Sequence, residues 1–121
     1  MASRFTALVV DCADPRRVSA FWSAVLGWQP TGQFADEGLV ELAGPPGSGP
    51  TLLFVPVPEP KSVKDRLHID VNPVGCDQEQ EVERLLALGA RRVDIGQGEQ
   101  TWVVLADPEG NEFCVLRSRV E

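Results

Sequence analysis

The chemistry this chain can offer is concentrated at two places far apart in sequence. His68, the only histidine, stands in RLHIDV with Asp70 two residues behind it, and Cys114 stands in FCVL near the other end. An imidazole serves as a general acid or base when it lies within hydrogen-bond reach of the proton to be moved, and it also ligates metals. Cysteine adds a nucleophile or soft ligand only as the thiolate, and the apolar neighbours Phe113, Val115 and Leu116 favour the protonated thiol. A catalytic divalent ion takes about three protein donors and keeps one position open. His68 and Cys114 supply two. Asp70 can share the strand face of His68 and orient it, whereas Glu112 borders a turn and Glu109 belongs to the turn itself. Against these roles stands a plainer one, in which His68 is hydrogen-bonded to a carbonyl or carboxylate and only fills volume.

The elements that must hold these residues come in a repeated order. FTALVVDC (5–12) reads as a strand, and Asp14 before Pro15 is a strong helix start, an N-cap followed by proline at the first helical position. Val18, Phe21, Trp22, Val25 and Leu26 then form one apolar stripe, ended by Gly27. GLVELAG and TLLFVPV read as strands joined by PPGSGP. The order restarts at RLHIDV: a strand, a capping box from Asp77 and Gln80, a helix carrying Val82, Leu85 and Leu86 to Gly89, and strands in RRVDIG, QTWVVLAD and EFCVLRS. In DPEGN, Pro108 presets one turn dihedral, and Gly110 or Asn111 takes the positive φ. One offset carries Ala7 onto His68 and Leu53 onto Cys114, a repeat of pattern with little identity of letters.

Composition narrows the partners. With 121 residues the chain is the size of one domain, and a net charge of −7 makes it a poor match for the phosphates of a nucleic acid. No apolar run approaches membrane-spanning length, and the N-terminus lacks the pattern of a secretory signal, so a cytoplasmic protein with no membrane partner is expected. Three cysteines without CxxC spacing read as reduced thiols.

Four segments, DPRRVSAFWSAVLGW, RLHIDV, LLALGARRV and VVLADPEGNEFCVL, together resemble the vicinal oxygen chelate superfamily of glyoxalase I, extradiol dioxygenases and bleomycin resistance proteins. Within it the chain is most similar to small glyoxalase-like proteins, and ADPEGNEF is the most specific piece. The resemblance implies an α+β fold in which paired βαβββ modules form a curled mixed sheet around a cleft, helices outside. It implies one domain over 1–121, with module one at about 1–60 and module two at about 61–121. Homodimers are common in such families, and one is expected here.

In metal-dependent members, ligands project from the first and last strands of each module. The matching positions are Ala7, Leu53, His68 and Cys114, with Val55 on the face of Leu53. Alanine and leucine bind no metal, and the register gives Asp70 no ligand role, so neither a metal nor another cofactor is expected.

What remains is a pocket for a small molecule. Ala7, Leu53, Val55, His68, Trp102 and Cys114 would make a mostly apolar lining with few polar anchors. Trp22 belongs to the core, Trp28 and Trp102 to a cleft mouth, and Phe54 and Phe113 to the opposite sheet face under the helices. Arg66 is either an anion anchor or an exposed strand-start residue. Three classes of function follow: a protein that binds or sequesters a small, partly apolar molecule in the bleomycin-resistance manner, for which acidic charge suits a cationic ligand; a metal-independent lyase or isomerase with His68 as its acid–base residue; and a structural or regulatory module.

Overall fold

Both helices begin where aspartate meets free backbone N–H groups. The computed structural model describes residues 1–98 and 100–120. In α1 (Pro15–Leu26) the Asp14 side chain accepts from the Arg17 N–H, and Gly27 closes the helix in the left-handed conformation. In α2 (Gln78–Leu88) both halves of the capping box form between Asp77 and Gln80. A cap is worth about 1 kcal/mol, less than burying one large apolar side chain at about 1.5–3 kcal/mol. The caps therefore fix where the helices start, while their stripes provide most of the stability.

The chain divides into two compact units, Met1–Pro60 and Lys61–Glu121. The first contains β1 (Ala7–Cys12), α1, β2 (Gln29–Pro30), a short 3-10 turn (Ala35–Glu37), β3 (Val40–Ala43) and β4 (Thr51–Pro56). Its mixed sheet has the order β1-β4-β3-β2, with β1 parallel to β4 and the other pairs antiparallel. Val18, Phe21, Trp22 and Val25 of α1 are buried, and so are Leu42, Leu52 and Phe54 on the sheet beneath. Phe21 and Trp22 meet edge to face, ring centroids 5.4 Å apart.

The second unit repeats this plan with β5 (Asp70–Val71), α2, β6 (Arg91–Arg92), β7 (Val103–Ala106) and β8 (Glu112–Val115), in the order β5-β8-β7-β6. Val82 and Leu85 of α2 are buried, as are Val71, Leu105, Phe113 and Val115. Gln78 ties the start of α2 to the sheet, its side-chain amide donating to the carbonyls of Thr101 and Val115. The α+β fold of paired βαβββ modules is as expected, and Phe54 and Phe113 both lie on the helix-covered sheet faces.

Several strands are shorter than their patterns predict. In RRVDIG only Arg91 and Arg92 are strand; the Val93 N–H still donates to Val104, and beyond it side chains take the backbone donors, Gln97 that of Ile95 and Asp94 that of Gly96. In RLHIDV only Asp70 and Val71 are strand, although Ile69 already accepts from the Cys114 N–H. Upstream, the chain is held by a side chain instead, since the Asp65 N–H donates to Glu112. The short β2, where Pro30 sits on an edge strand, has no counterpart in the sequence pattern. Among the described residues no helix is long and apolar enough to cross a membrane.

Candidate functional site

The parallel pairing of β5 and β8 sets Asp70 opposite Cys114. Registered partners on parallel strands project to the same sheet face, and His68 lies two residues ahead of Asp70, just before β5 begins. One ligand atom from each of His68, Asp70 and Cys114 lies within 4.8 Å of the others. His68 and Asp70 are exposed and Cys114 is buried. His68 and Cys114, far apart in sequence, are neighbours here, and Asp70, to which the family register gives no ligand role, lies with them. The signal was available in the repeat: the offset that carries Leu53 onto Cys114 also carries Val9 onto Asp70, and Val9 pairs with Leu53.

Burial pushes the Cys114 thiol up, and the Asp70 charge and a hydrogen bond with its carboxylate push it further; Lys64 opposes this without reversing it. The thiol is thus protonated at neutral pH, as the apolar flanks imply, and a carboxylate contributes as well.

The β7–β8 hairpin that presents Cys114 is organised by one buried carboxylate. Asp107 accepts from the N–H groups of Glu109 and Asn111, both at 2.9 Å, and from the Asn111 side-chain amide at 3.0 Å. Gly110, with φ 89°, takes the left-handed position, and no non-glycine residue has positive φ among those described. ADPEGNEF, the most specific stretch of the sequence, therefore acts here as a turn that sets the start of β8.

Glu112 anchors the segment leading to His68. Its carboxylate accepts from Lys61 Nζ and from the Asp65 N–H, each at 2.7 Å. Burial alone would raise the Glu112 carboxyl, but the Lys61 hydrogen bond, the Asp65 N–H and the Lys61 charge outweigh it and hold the group low. Asp65 is moved the other way, first by burial and then by the negative charge of Glu112, with Lys61 opposing. From the sequence Glu112 only borders a turn; here it is a half-buried tether.

The remaining predicted residues are distributed over both units. Ala7, Leu53 and Val55 are half-buried in the first, with Ala7 registered to Thr51 and Val9 to Leu53. Their sheet face also carries Glu41, opposite Leu53, whose carboxylate accepts from Thr31 at 2.8 Å and Thr51 at 3.2 Å. Sequence reasoning passed over Glu41, which sits in GLVELAG without a distinguishing spacing. Trp28 packs against Gly44 so closely that a Cβ there would lie 2.6 Å from the indole nitrogen. Trp102, 37% exposed, lies just before β7 in the second unit.

Of the four positions at which the resemblance places metal ligands, Ala7 and Leu53 carry no donor atom. The donor set of the wider superfamily does not fit these residues, and no reaction step is assigned to such a centre.

The fold has many solved counterparts. A glyoxalase/bleomycin resistance protein/dioxygenase family enzyme from Burkholderia phytofirmans PsJN is 19% identical, with 93% of this chain and 97% of that one covered and a TM-score of 0.65. The fosfomycin resistance protein FosX from Mesorhizobium loti is 13% identical, with coverage of 98% and 94% and a TM-score of 0.71. A glyoxalase-related enzyme from Fulvimarina pelagi is 17% identical, with coverage of 94% and 87% and a TM-score of 0.66. No curated protein matches the chain significantly. The family model of the glyoxalase-like domain matches residues 7–116, from the start of β1 to just past β8, and the chain belongs to that family.

Proposed function

We propose that the chain binds a small, partly apolar molecule on the sheet face of the second unit that carries His68. The observation behind this reading is the exposed imidazole of His68 and carboxylate of Asp70 clustered with the buried Cys114 thiol. By register, Val104 and Ala106 belong to the same face, and both are buried and apolar. Apolar residues with two polar groups beside them are the usual composition of a small-molecule site. Asp70 and the net charge of −7 favour a cationic ligand.

A second reading rests on the closeness of Asp70 to His68. A carboxylate near an imidazole can orient it to accept a proton from a bound substrate and return it elsewhere, the requirement of a metal-independent lyase or isomerase. In that reading His68 is the catalytic residue and Asp70 the positioning residue.

The test is a titration of chelator-treated protein with matched aromatic amidines and carboxylates, followed by tryptophan fluorescence and calorimetry. Saturable binding of the cationic series, weakened roughly tenfold by His68→Ala, is expected, the worth of about one hydrogen bond. Saturation by the carboxylates alone would overturn the cationic preference, and saturation by neither would overturn the binding reading. Proton exchange between substrate and solvent, lost in His68→Ala, would distinguish the enzyme from the sequestering protein.

A further inference from the structure

We propose that residues 61–68 form a strap laid along β8 over Cys114 and latched by Glu112, and that release of this latch, without unfolding of the unit, admits small solutes to the thiol. The path of the strap follows from its fixed points. Lys61 Nζ and the Asp65 N–H both donate to the Glu112 carboxylate at 2.7 Å. Cys114 stands two residues further along β8, and so on the same sheet face. A ring nitrogen of His68 lies within 4.8 Å of its sulfur. Between these points the Lys64 charge reaches the same thiol. The segment thus runs from Glu112 to Cys114, and it ends where the Ile69 carbonyl accepts from the Cys114 N–H at 2.9 Å.

Charge and not packing holds the strap down. Among the described residues, none from 61 to 68 makes a backbone–backbone hydrogen bond. Val63 and Leu67, its two apolar side chains, are 75% and 82% exposed, whereas Lys61 and Asp65 are half-buried. Lys61 Nζ also donates to the Val63 carbonyl, and Lys64 Nζ to that of Asp65; both braces lie within the strap and move with it. Lifting the segment therefore breaks the bonds to one carboxylate and gives up little apolar burial. A segment of this kind opens at a free energy well below that of global unfolding. Cys114, 6% exposed, lies beneath it.

The gate needs no ligand to operate. The small-molecule reading names what passes through it, but the test uses a thiol reagent alone, so the two can fail separately.

The experiment follows iodoacetamide labelling of Cys114 in the folded full chain by peptide mass analysis, repeated across sub-denaturing urea. The parent's labelling rate should change little with urea, because opening the strap exposes little surface, whereas labelling through unfolding climbs steeply. Lys61→Met should speed labelling roughly tenfold or more, the worth of one hydrogen bond to a charged group. The sign is diagnostic, since removing a cation disfavours the thiolate and would by itself slow the reaction. Should Lys61→Met disturb the unit, Glu112→Gln breaks the same ion pair while keeping an acceptor for the Asp65 N–H. It too should label faster, measured at alkaline pH above the thiol's own midpoint so that the lost charge does not enter. Far-UV circular dichroism checks that each variant is folded. Labelling that is unchanged or slower in the folded variants, or that climbs with urea in step with unfolding, would overturn the proposal.

Discussion

Asp70 and Cys114 are paired across the parallel strands β5 and β8, and the carboxylate helps to keep the proton on the buried thiol. This relation separates the cysteine from a ready nucleophile. In a nucleophilic pair a cationic imidazole would stabilise the thiolate; here the groups that push the thiol up are its own burial and an anion.

Cys114 should therefore alkylate more slowly than free cysteine at about pH 8 in metal-free protein. Asp70→Asn removes a negative charge that disfavours the thiolate, so the midpoint of the alkylation-rate profile should move to lower pH. His68→Ala should leave that midpoint in place. Peptide mass analysis assigns the label among Cys12, Cys76 and Cys114, and a profile that moves with His68 and ignores Asp70 would contradict this account.

Asp107 should be a stability residue. Replacing it by alanine strands the N–H groups of Glu109 and Asn111 and the Asn111 amide, which now share one buried carboxylate. Each buried donor left unpaired costs about 1–3 kcal/mol, so a lowered urea midpoint is expected. Asp107→Asn keeps one acceptor oxygen and should lose less.

These residues also show what the sequence could and could not disclose. Helix starts were legible because Asp14 with Pro15, and Asp77 with Gln80, are signals confined to a few neighbouring residues. Phe54 and Phe113 were placed under the helices because alternation along a strand requires no knowledge of its partner. Strand ends were harder, since Gln97 and Asp94 divert backbone donors through side-chain contacts that no periodicity encodes. The site was half legible: His68 and Cys114 followed from the repeat, but Asp70 depended on which residues of β5 and β8 stand opposite. Glu41 and Glu112 resemble surface charges until the partners that bury them are known.

Gly44→Ala should destabilise the first unit without touching the second unit's site. A Cβ at this position would stand 2.6 Å from both Trp28 Nε1 and Ser48 Oγ, inside van der Waals contact. Moving a packed indole costs about 1–3 kcal/mol. A lower thermal midpoint and altered tryptophan emission are expected.

The Lys61–Glu112–Asp65 cluster should give opposite pH dependences at its two carboxylates. Glu112 is held below its ordinary value, so its stabilising contribution is full above the unfolded pKa and is lost as pH falls through the folded one. Asp65 is held above its ordinary value of 3.8. As pH rises the unfolded state ionises first, and Asp65 costs stability throughout the neutral range. Asp65→Asn preserves the backbone N–H that Glu112 accepts while removing the charge that Glu112 opposes. This variant should therefore unfold at higher urea than the parent at about pH 7, with the gain disappearing by about pH 3. Lys61→Met should do the reverse at neutral pH, because burial of Glu112 then lacks its cation. Urea midpoints of the three proteins across this range provide the measurement; a stability gain in Asp65→Asn that persists undiminished in acid would show that its origin is not the carboxylate charge.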